Sequence, residues 1–391
     1  MYVSDNYGPE MQNKLNMEYA IPRPLRLPVS PEEWQLRARA CLAPGTYDYL
    51  AGAAGSEDAK IRDEEAFRQW RIVPRFLQDV AKRDLSVKVL GVTFPAPVLL
   101  APIGRQALFH PEAEAASARA AASLGVPFIL GTESSRSIEE VAAVMGDAVR
   151  WFQLYPPKSF EVAESFIRRA EASGYSAIVI TVDRPLEGWQ EPDLRNAYFP
   201  IMFPHAVTNF ITDPVFMAGI PKRYYADHSY ILNEVFRIFY NPAFTWRGLS
   251  RLRNITRLPI LLKGILHPVD AEQALAAGAD GIVVSNHSGR QLDGTISALE
   301  ALPSVCERIR GRIPVLMDSG IRRGADVMKA LALGASAVLV GRLYVYALSV
   351  AGEVGVTRVV SDLIAELDIS MANAGICSVS GLNSSLLVRS T

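Results

Sequence analysis

Cysteine is scarce in this chain. Cys41, Cys306 and Cys377 are the only three in 391 residues, too few and too scattered for a disulfide framework, which points to a reducing compartment and ordinary packing. A dominant charge is missing as well. Forty Lys and Arg against 41 Asp and Glu leave a formal net charge of −1, with no basic block, so neither nucleic acid nor an anionic membrane is an expected partner. No uncharged apolar run approaches the ~18 residues of a membrane span. The N-terminal MYVSDNYGPEMQNKL lacks an apolar core and does not read as a secretory signal, so a cytoplasmic protein is expected. Histidine is rare too, and none of the five forms an HxH or HxxxH pair with a nearby acid, so no metal site is expected.

What is present is a rhythm. Residues 1 to 30 are polar and then proline-rich, and read as an arm. Ser30, Pro31 and Glu33 form a helix-start signal, with further helical stretches in TYDYLAGAAG and near 57 to 66. From Pro95 onward, short apolar runs alternate with helical segments: APVLLAPI, VPFILG, VRWFQLY, SAIVITVD, LPILLKG, DGIVVSN, IPVLMDSG and ASAVLVG. Eight strand–helix units predict an α/β fold, a (β/α)8 TIM barrel with an N-terminal helical extension and a long insertion after strand 4. The doubly wound alternative lacks a GxGxxG after its first strand. The expected division is 1–94 for arm and helices, 95–380 for the barrel and 381–391 for a tail. The insertion, about 184–257, is rich in aromatics and is expected to be a lid over the mouth with a short helix near 229–239; a subunit contact is the plainer reading.

Chemistry concentrates where the strands end. In GIVVSNHSGRQLDG, an apolar strand delivers His287, a proton acceptor at neutral pH, and Arg290, an anion clamp, to one edge of the barrel. Period two puts Gln153 with Tyr155, and Thr181 with Asp183, on the inward side of strands three and four. Lys263 follows the apolar PILL and needs a partner there, whether a ligand or a neighbouring carboxylate. Asp318, Ser319 and Gly320 after strand seven, with Gly341 and Arg342 after strand eight, form the kind of loop pair on which barrels bind phosphate. Together these residues describe oxidation of a small molecule, with His287 taking a proton and Asp183 steadying it.

The motifs API-G-xQ, HPE, SIEEVA, FQLY, NFITDPVF and LPILLKGILHP, together with the His287 block, resemble the FMN-dependent 2-hydroxy-acid oxidase and dehydrogenase family over roughly residues 31 to 380, and within it the lactate 2-monooxygenase subgroup. The resemblance implies FMN held by Pro102, Ile103, Gly104, Gly131, Gln153, Thr181, Lys263 and Ser285 around the ring. Asp318, Ser319, Gly320, Arg322, Gly341 and Arg342 would hold the ribityl phosphate. It implies His287 as base with Asp183, Tyr49 and Tyr155 as substrate-contacting tyrosines, Arg290 as carboxylate clamp, O2 as acceptor and a homotetramer. Lys263 would then stabilise the reduced, anionic ring. Gly104, where oxidases tend to carry alanine, would leave room over the flavin and favour the monooxygenase branch.

Departures from the pattern are concentrated near the substrate. In TVDRPLEGWQEPD, Gln190 stands where the family's second carboxylate-binding arginine belongs, a loss worth roughly 2–5 kcal/mol if nothing replaces it. Arg184, Arg195 or Arg105 supplies the cation, or the substrate carries a neutral amide or ester in place of the carboxylate, or FMN is kept and turnover lost. The second account is favoured here because the rest of the set is intact. A dehydrogenase with another electron acceptor is the remaining alternative. Gly131 replaces a hydroxyl residue, Glu133 puts a carboxylate where a neutral or aromatic residue is usual, and Ser319 replaces a glycine, with strain if its φ is positive.

Overall fold

Each apolar run becomes one strand of a closed, all-parallel barrel. In the computed structural model, which describes residues 4–20 and 26–390, the strands are β1 (Val98–Leu100), β2 (Phe128–Leu130), β3 (Arg150–Leu154), β4 (Ile178–Thr181), β5 (Ile260–Ile265), β6 (Gly281–Val284), β7 (Val315–Met317) and β8 (Ala337–Val340). Pairing of Val338 with Val98, Leu339 with Leu99 and Val340 with Leu100 closes the ring between β8 and β1. The runs are apolar throughout because both faces are covered. Leu100, Phe128, Phe152, Ile180, Leu262 and Val338 face the surrounding helices. Leu99, Ile129, Trp151, Val179, Leu261, Val283, Leu316 and Leu339 fill the interior.

A hairpin, Val87–Val89 and Val92–Phe94, closes the bottom of that interior. Phe94 meets Trp151 edge to face at 6.3 Å, so the barrel is plugged at one end and open at the other. The hairpin lies in the stretch read above as arm and helices. Its strands are only three residues long, too short for a period-two signal.

The polar N-terminal segment is more than an arm. Tyr7–Ala20 is a helix packed along the Arg342–Asn373 helix, with Gly8 N–H donating to Asp368 at 2.8 Å. It has almost no apolar stripe, which is why its pattern did not announce a helix. The proline-rich start of the following stretch, residues 21–25, lies outside the described residues. The Ser30 capping box forms as expected, Glu33 N–H donating to Ser30 Oγ at 3.2 Å and Ser30 N–H to Glu33 at 3.4 Å. The tail is also tied in: Leu387–Arg389 pairs antiparallel with Trp70–Ile72.

The 32-residue Arg342–Asn373 helix breaks at Ala351–Gly352 and is long and apolar enough to cross a membrane by composition. Two-thirds of its apolar window, 67%, is buried in this protein, as befits a core helix. The insertion divides in two. His228–Phe239 is the expected helix, and Arg184, Glu187 and Tyr240 reach the barrel mouth. Phe210, however, packs against Phe166 on the barrel's flank and Phe216 against Phe210, so that part of the segment does not cover the mouth.

Candidate active site

Two residues beyond each interior apolar residue, the same inward parity yields Ala101, Gly131, Gln153, Thr181, Lys263, Ser285, Asp318 and Gly341. This ring is small or polar, and Ala101, Lys263, Asp318 and Gly341 of it line a cavity of about 970 Å³ of empty space at the C-terminal mouth. Its members are bonded to one another. Gln153 Nε2 donates to Thr181 Oγ1 at 3.0 Å while its carbonyl oxygen accepts from Thr132 N–H at 3.1 Å. Lys263 Nζ donates to Ser285 Oγ at 2.8 Å and pairs with Asp318 at 2.9 Å. Burial alone would lower the Lys263 ammonium, but Asp318 and Asp183 outweigh it and hold the group above its ordinary value, so it is a fixed charge. The plainer expectation for Lys263, a carboxylate partner, is therefore met without removing it from the floor. Ala101 escaped the sequence reading, although counting two from Leu99 finds it.

The loop after β6 carries His287 in a strained turn. His287 (φ 57°) and Ser288 (φ 55°) are consecutive non-glycine residues in the left-handed region, each costing roughly 1–3 kcal/mol. Surrounding bonds impose that geometry. Ser285 Oγ accepts from His287 N–H at 3.0 Å, Ser319 Oγ from Ser288 N–H at 3.1 Å, and Asn286 is anchored by Asp63 at 2.8 Å. Asp63, in the polar helix Asp58–Arg68, gave no sign of this role in the sequence. Ser319 has φ 74°, so the strained alternative for that position is the one realised, offset by its bonds to Ser288 N–H and Asp318.

His287 Nδ1 lies 2.8 Å from Asp183 Oδ1. Burial would raise the Asp183 carboxyl, but the His287 and Lys263 charges and the His287 bond outweigh it and keep it below its usual value. An ionised carboxylate only accepts, so Nδ1 donates, and in the neutral imidazole the lone pair is then on Nε2. Nε2 faces Tyr155 OH at 3.4 Å. Burial pushes the Tyr155 phenol up to about 12, so it stays protonated.

Arg290 lines the same cavity and donates to Tyr49 O at 2.6 Å, Gly52 O at 3.2 Å and Gln190 Oε1 at 2.7 Å. All three acceptors are neutral. Among the described residues no carboxylate is ion-paired with it, and burial raises nearby Asp193 to about 6 in spite of Arg290's pull. Gln190 departs from expectation. It is buried but does not line the cavity; its amide reaches back to Arg290 and, at 3.3 Å, to Glu187. The glutamine thus orients the arginine and does not meet the substrate directly, because its side chain is spent on those bonds. Nor is Arg184 or Arg105 a free replacement: both hold Glu133, Arg184 Nη1 at 2.6 Å, and Arg184 also holds Glu187. Arg195, at the end of a short exposed helix, does not line the cavity. Gly104 lines the cavity as expected, and it has a second reason to be bare: a Cβ there would come within 2.8 Å of the Glu133 carbonyl oxygen.

On the opposite side, Arg342 is buried and, among the described residues, donates only to the Leu50, Gly52 and Ser288 carbonyl oxygens, at 3.1, 2.6 and 3.1 Å. Burial drags its guanidinium down to about 10, the mark of a cation without its counter-ion. It opens the long helix, whose first N–H groups no side chain caps, and Arg322 and Gly320 flank it along the cavity. A phosphate fits that donor set, and a planar ring fits the small, polar floor beside it. Pro102 and Ile103 supply the cavity wall from the loop after β1.

Comparison with known proteins agrees. The FMN-dependent dehydrogenase family model matches residues 38–389. An L-lactate oxidase of Lysinibacillus sphaericus is 45% identical over 345 residues, covering 88% of this chain and 89% of that protein. Solved structures similar to this one include an (S)-mandelate dehydrogenase (TM-score 0.85, 36% identity, 92% of this chain and 99% of that one) and a mandelate oxidase (TM-score 0.82, 38% identity, 92% and 98%). The chain therefore belongs to the FMN-dependent dehydrogenase family, as an oxidoreductase of 2-hydroxy acids with FMN as its cofactor.

Proposed function

We propose that the protein oxidises a 2-hydroxy acid bearing a free carboxylate to the 2-oxo acid, with O2 as electron acceptor. The observation that carries this is Arg290: a cation in the cavity wall, turned toward neutral acceptors and lacking a counter-ion. A neutral substrate would cover that charge without compensating it, so the site favours the acid over the amide or ester. Tyr49 helps. Its hydroxyl accepts from Arg105 Nη1 at 2.8 Å, leaving its own proton to donate to the substrate carboxylate.

His287 Nε2 takes the substrate proton, and Asp183 stabilises the imidazolium that forms. Tyr155, protonated and beside Nε2, holds the reacting oxygen. FMN, when bound, accepts the two electrons that leave the substrate. Lys263, Ser285, Gln153 and Thr181 would hold its ring, and Asp318 with Ser319, Gly320, Arg322, Gly341 and Arg342 would hold its polar chain and phosphate. O2 as acceptor follows the oxidases among the relatives. Release of H2O2 with the 2-oxo acid marks an oxidase, and release of CO2 with the shortened acid marks the lactate 2-monooxygenase type. A cytoplasmic homotetramer belongs to the same proposal, and light scattering measures its mass.

The test is anaerobic mixing of the holoprotein with 2-hydroxy acids and with their amides. Bleaching of the flavin by acids and not by amides is expected, and so is its abolition in His287→Gln. Bleaching by amides alone would overturn the reading.

A further inference from the structure

Beyond the carboxylate clamp, the cavity wall is charged where a hydrocarbon pocket would be apolar. Glu133, Arg184 and Glu187 line it, and Arg105 stands directly behind. Arg105 and Arg184 both grip Glu133, Arg184 also grips Glu187, and Tyr240 OH donates to Glu187 at 2.5 Å. The Arg105, Glu133 and Arg184 side chains are all more than nine-tenths buried, at 4, 8 and 6% exposure. Burial would raise Glu187, but Arg184 and Tyr240 hold it at about 2, so the network stays ionised. Two cations against two anions make it neutral as a set. The buried Nε donors of Arg105 and Arg184 nevertheless have no partner.

This wall adjoins the clamp and the base. Arg105 Nη1 bonds the hydroxyl of Tyr49, whose ring lies 4.8 Å from the Arg290 guanidinium. Arg184 lies 4.9 Å from the ring of Tyr155, whose hydroxyl faces the base. Glu133 and Arg184 thus share the cavity with Arg290 and His287, on the side left for the substrate's third carbon.

We infer that the preferred substrate is a short polyhydroxy acid of the 2,3-dihydroxy type, whose 3-hydroxyl is recognised by Glu133 and Arg184; this rests on the 2-hydroxy-acid reading above. The exclusion of other tails follows from the balance of charge. A second carboxylate or an ammonium on the tail must break an ion pair and leave one member unpaired. An alkyl or phenyl tail covers the half-exposed Glu187 and the exposed edges of Glu133 and Arg184 and returns no hydrogen bond. A hydroxyl donates to a carboxylate oxygen, accepts from a guanidinium N–H and leaves all four charges paired. Glu133 and Arg184 are thus specificity-determining residues, and Arg105 positions both Glu133 and Tyr49.

The deciding experiment is stopped-flow reduction of the holoprotein by glycerate and by 2-hydroxybutyrate, each as both enantiomers. The two acids match in shape and differ in a hydroxyl against a methyl. Glycerate is expected to reduce the flavin with at least about tenfold higher second-order rate constant, as befits a site built to bond a hydroxyl. In the double variant R105M/E133L, with flavin spectrum retained, the preference is expected to fall to parity or invert. Equal or faster reduction by 2-hydroxybutyrate in the natural protein would overturn the inference while leaving the 2-hydroxy-acid reading intact. If the double variant kept the preference, Glu133 would lose its role and the inference would fall. No reduction by any 2-hydroxy acid would overturn the parent reading itself.

Discussion

Replacing Arg290 separates a charge clamp from a shape clamp. Its guanidinium is fixed by three neutral acceptors, at 2.6, 3.2 and 2.7 Å, and no carboxylate among the described residues is ion-paired with it. A substrate carboxylate would therefore meet a pre-oriented, uncompensated cation in the cavity wall. Removing one partner of such a pair costs about 2–5 kcal/mol, or roughly 30- to 5,000-fold in kcat/KM. R290M should lose that much toward a 2-hydroxy acid. Toward the matching 2-hydroxy amide, which offers no charge, the same variant should lose under about fivefold, the scale of a neutral hydrogen bond. R290K keeps the charge without the fork and should fall between. The assay is anaerobic flavin reduction with acid and amide on all three proteins, with the flavin spectrum confirming an intact site. Parallel losses for acid and amide in R290M would refute the reasoning, because Arg290 would then be holding the loop and not the carboxylate.

Other predictions test the remaining parts of the site. D183N should keep FMN yet lose about 10²–10⁴-fold in flavin reduction, because an amide no longer fixes the His287 tautomer or stabilises its cation; unchanged reduction would remove Asp183 from the mechanism. R342Q should weaken FMN binding by about 100-fold or more in a fluorescence titration while raising the melting temperature of the apoprotein, since a buried cation has gone; an apoprotein that melts lower would contradict its uncompensated burial. Glu114 is buried, accepts from Gln106 and Ser135 N–H, and is pushed up to about 7, chiefly by burial. Its folded value lies above the unfolded one, so its contribution is full below the ordinary carboxyl range and is lost as pH rises through about 7. E114Q should therefore gain on the natural protein between about pH 5 and pH 8, by up to ~3 kcal/mol in denaturant unfolding; a constant difference across that range would contradict the shift.

The barrel was legible because its signal is redundant: eight apolar runs, each followed by a helical pattern, and a resemblance that covers nearly the whole chain. The inward polar ring was legible in pieces: Gln153 and Thr181 from counting by two, Lys263 and Asp318 from their places at strand ends, and Ser285 from the resemblance. What escaped depended on contacts between distant segments. The hairpin at the barrel floor has strands too short to show a period. The Tyr7–Ala20 helix is held by Asp368 and not by an apolar stripe. Gln190 sits at the anticipated position, but its partners, Arg290 and Glu187, take it out of the cavity, and no spacing rule predicts that. Glu133 was noticed as unusual, yet its two arginines are 28 and 51 residues away, and only the fold brings them together.

The alternation along each strand assigns stability and chemistry to different residues of one short peptide. Leu99, Trp151 or Leu261 sets how tightly the barrel closes, and the residue two places on sets what the mouth can hold. The atypical positions, Arg105, Glu133, Arg184 and Gln190, lie one step further out, on loops after β1, β2 and β4. Change can accumulate there without touching the packed layer or the cofactor floor. The protein is in this sense modular along its own strands: a lineage can exchange the molecules it consumes by rewriting loop residues, while the parts that keep it folded and loaded with flavin stay as they are.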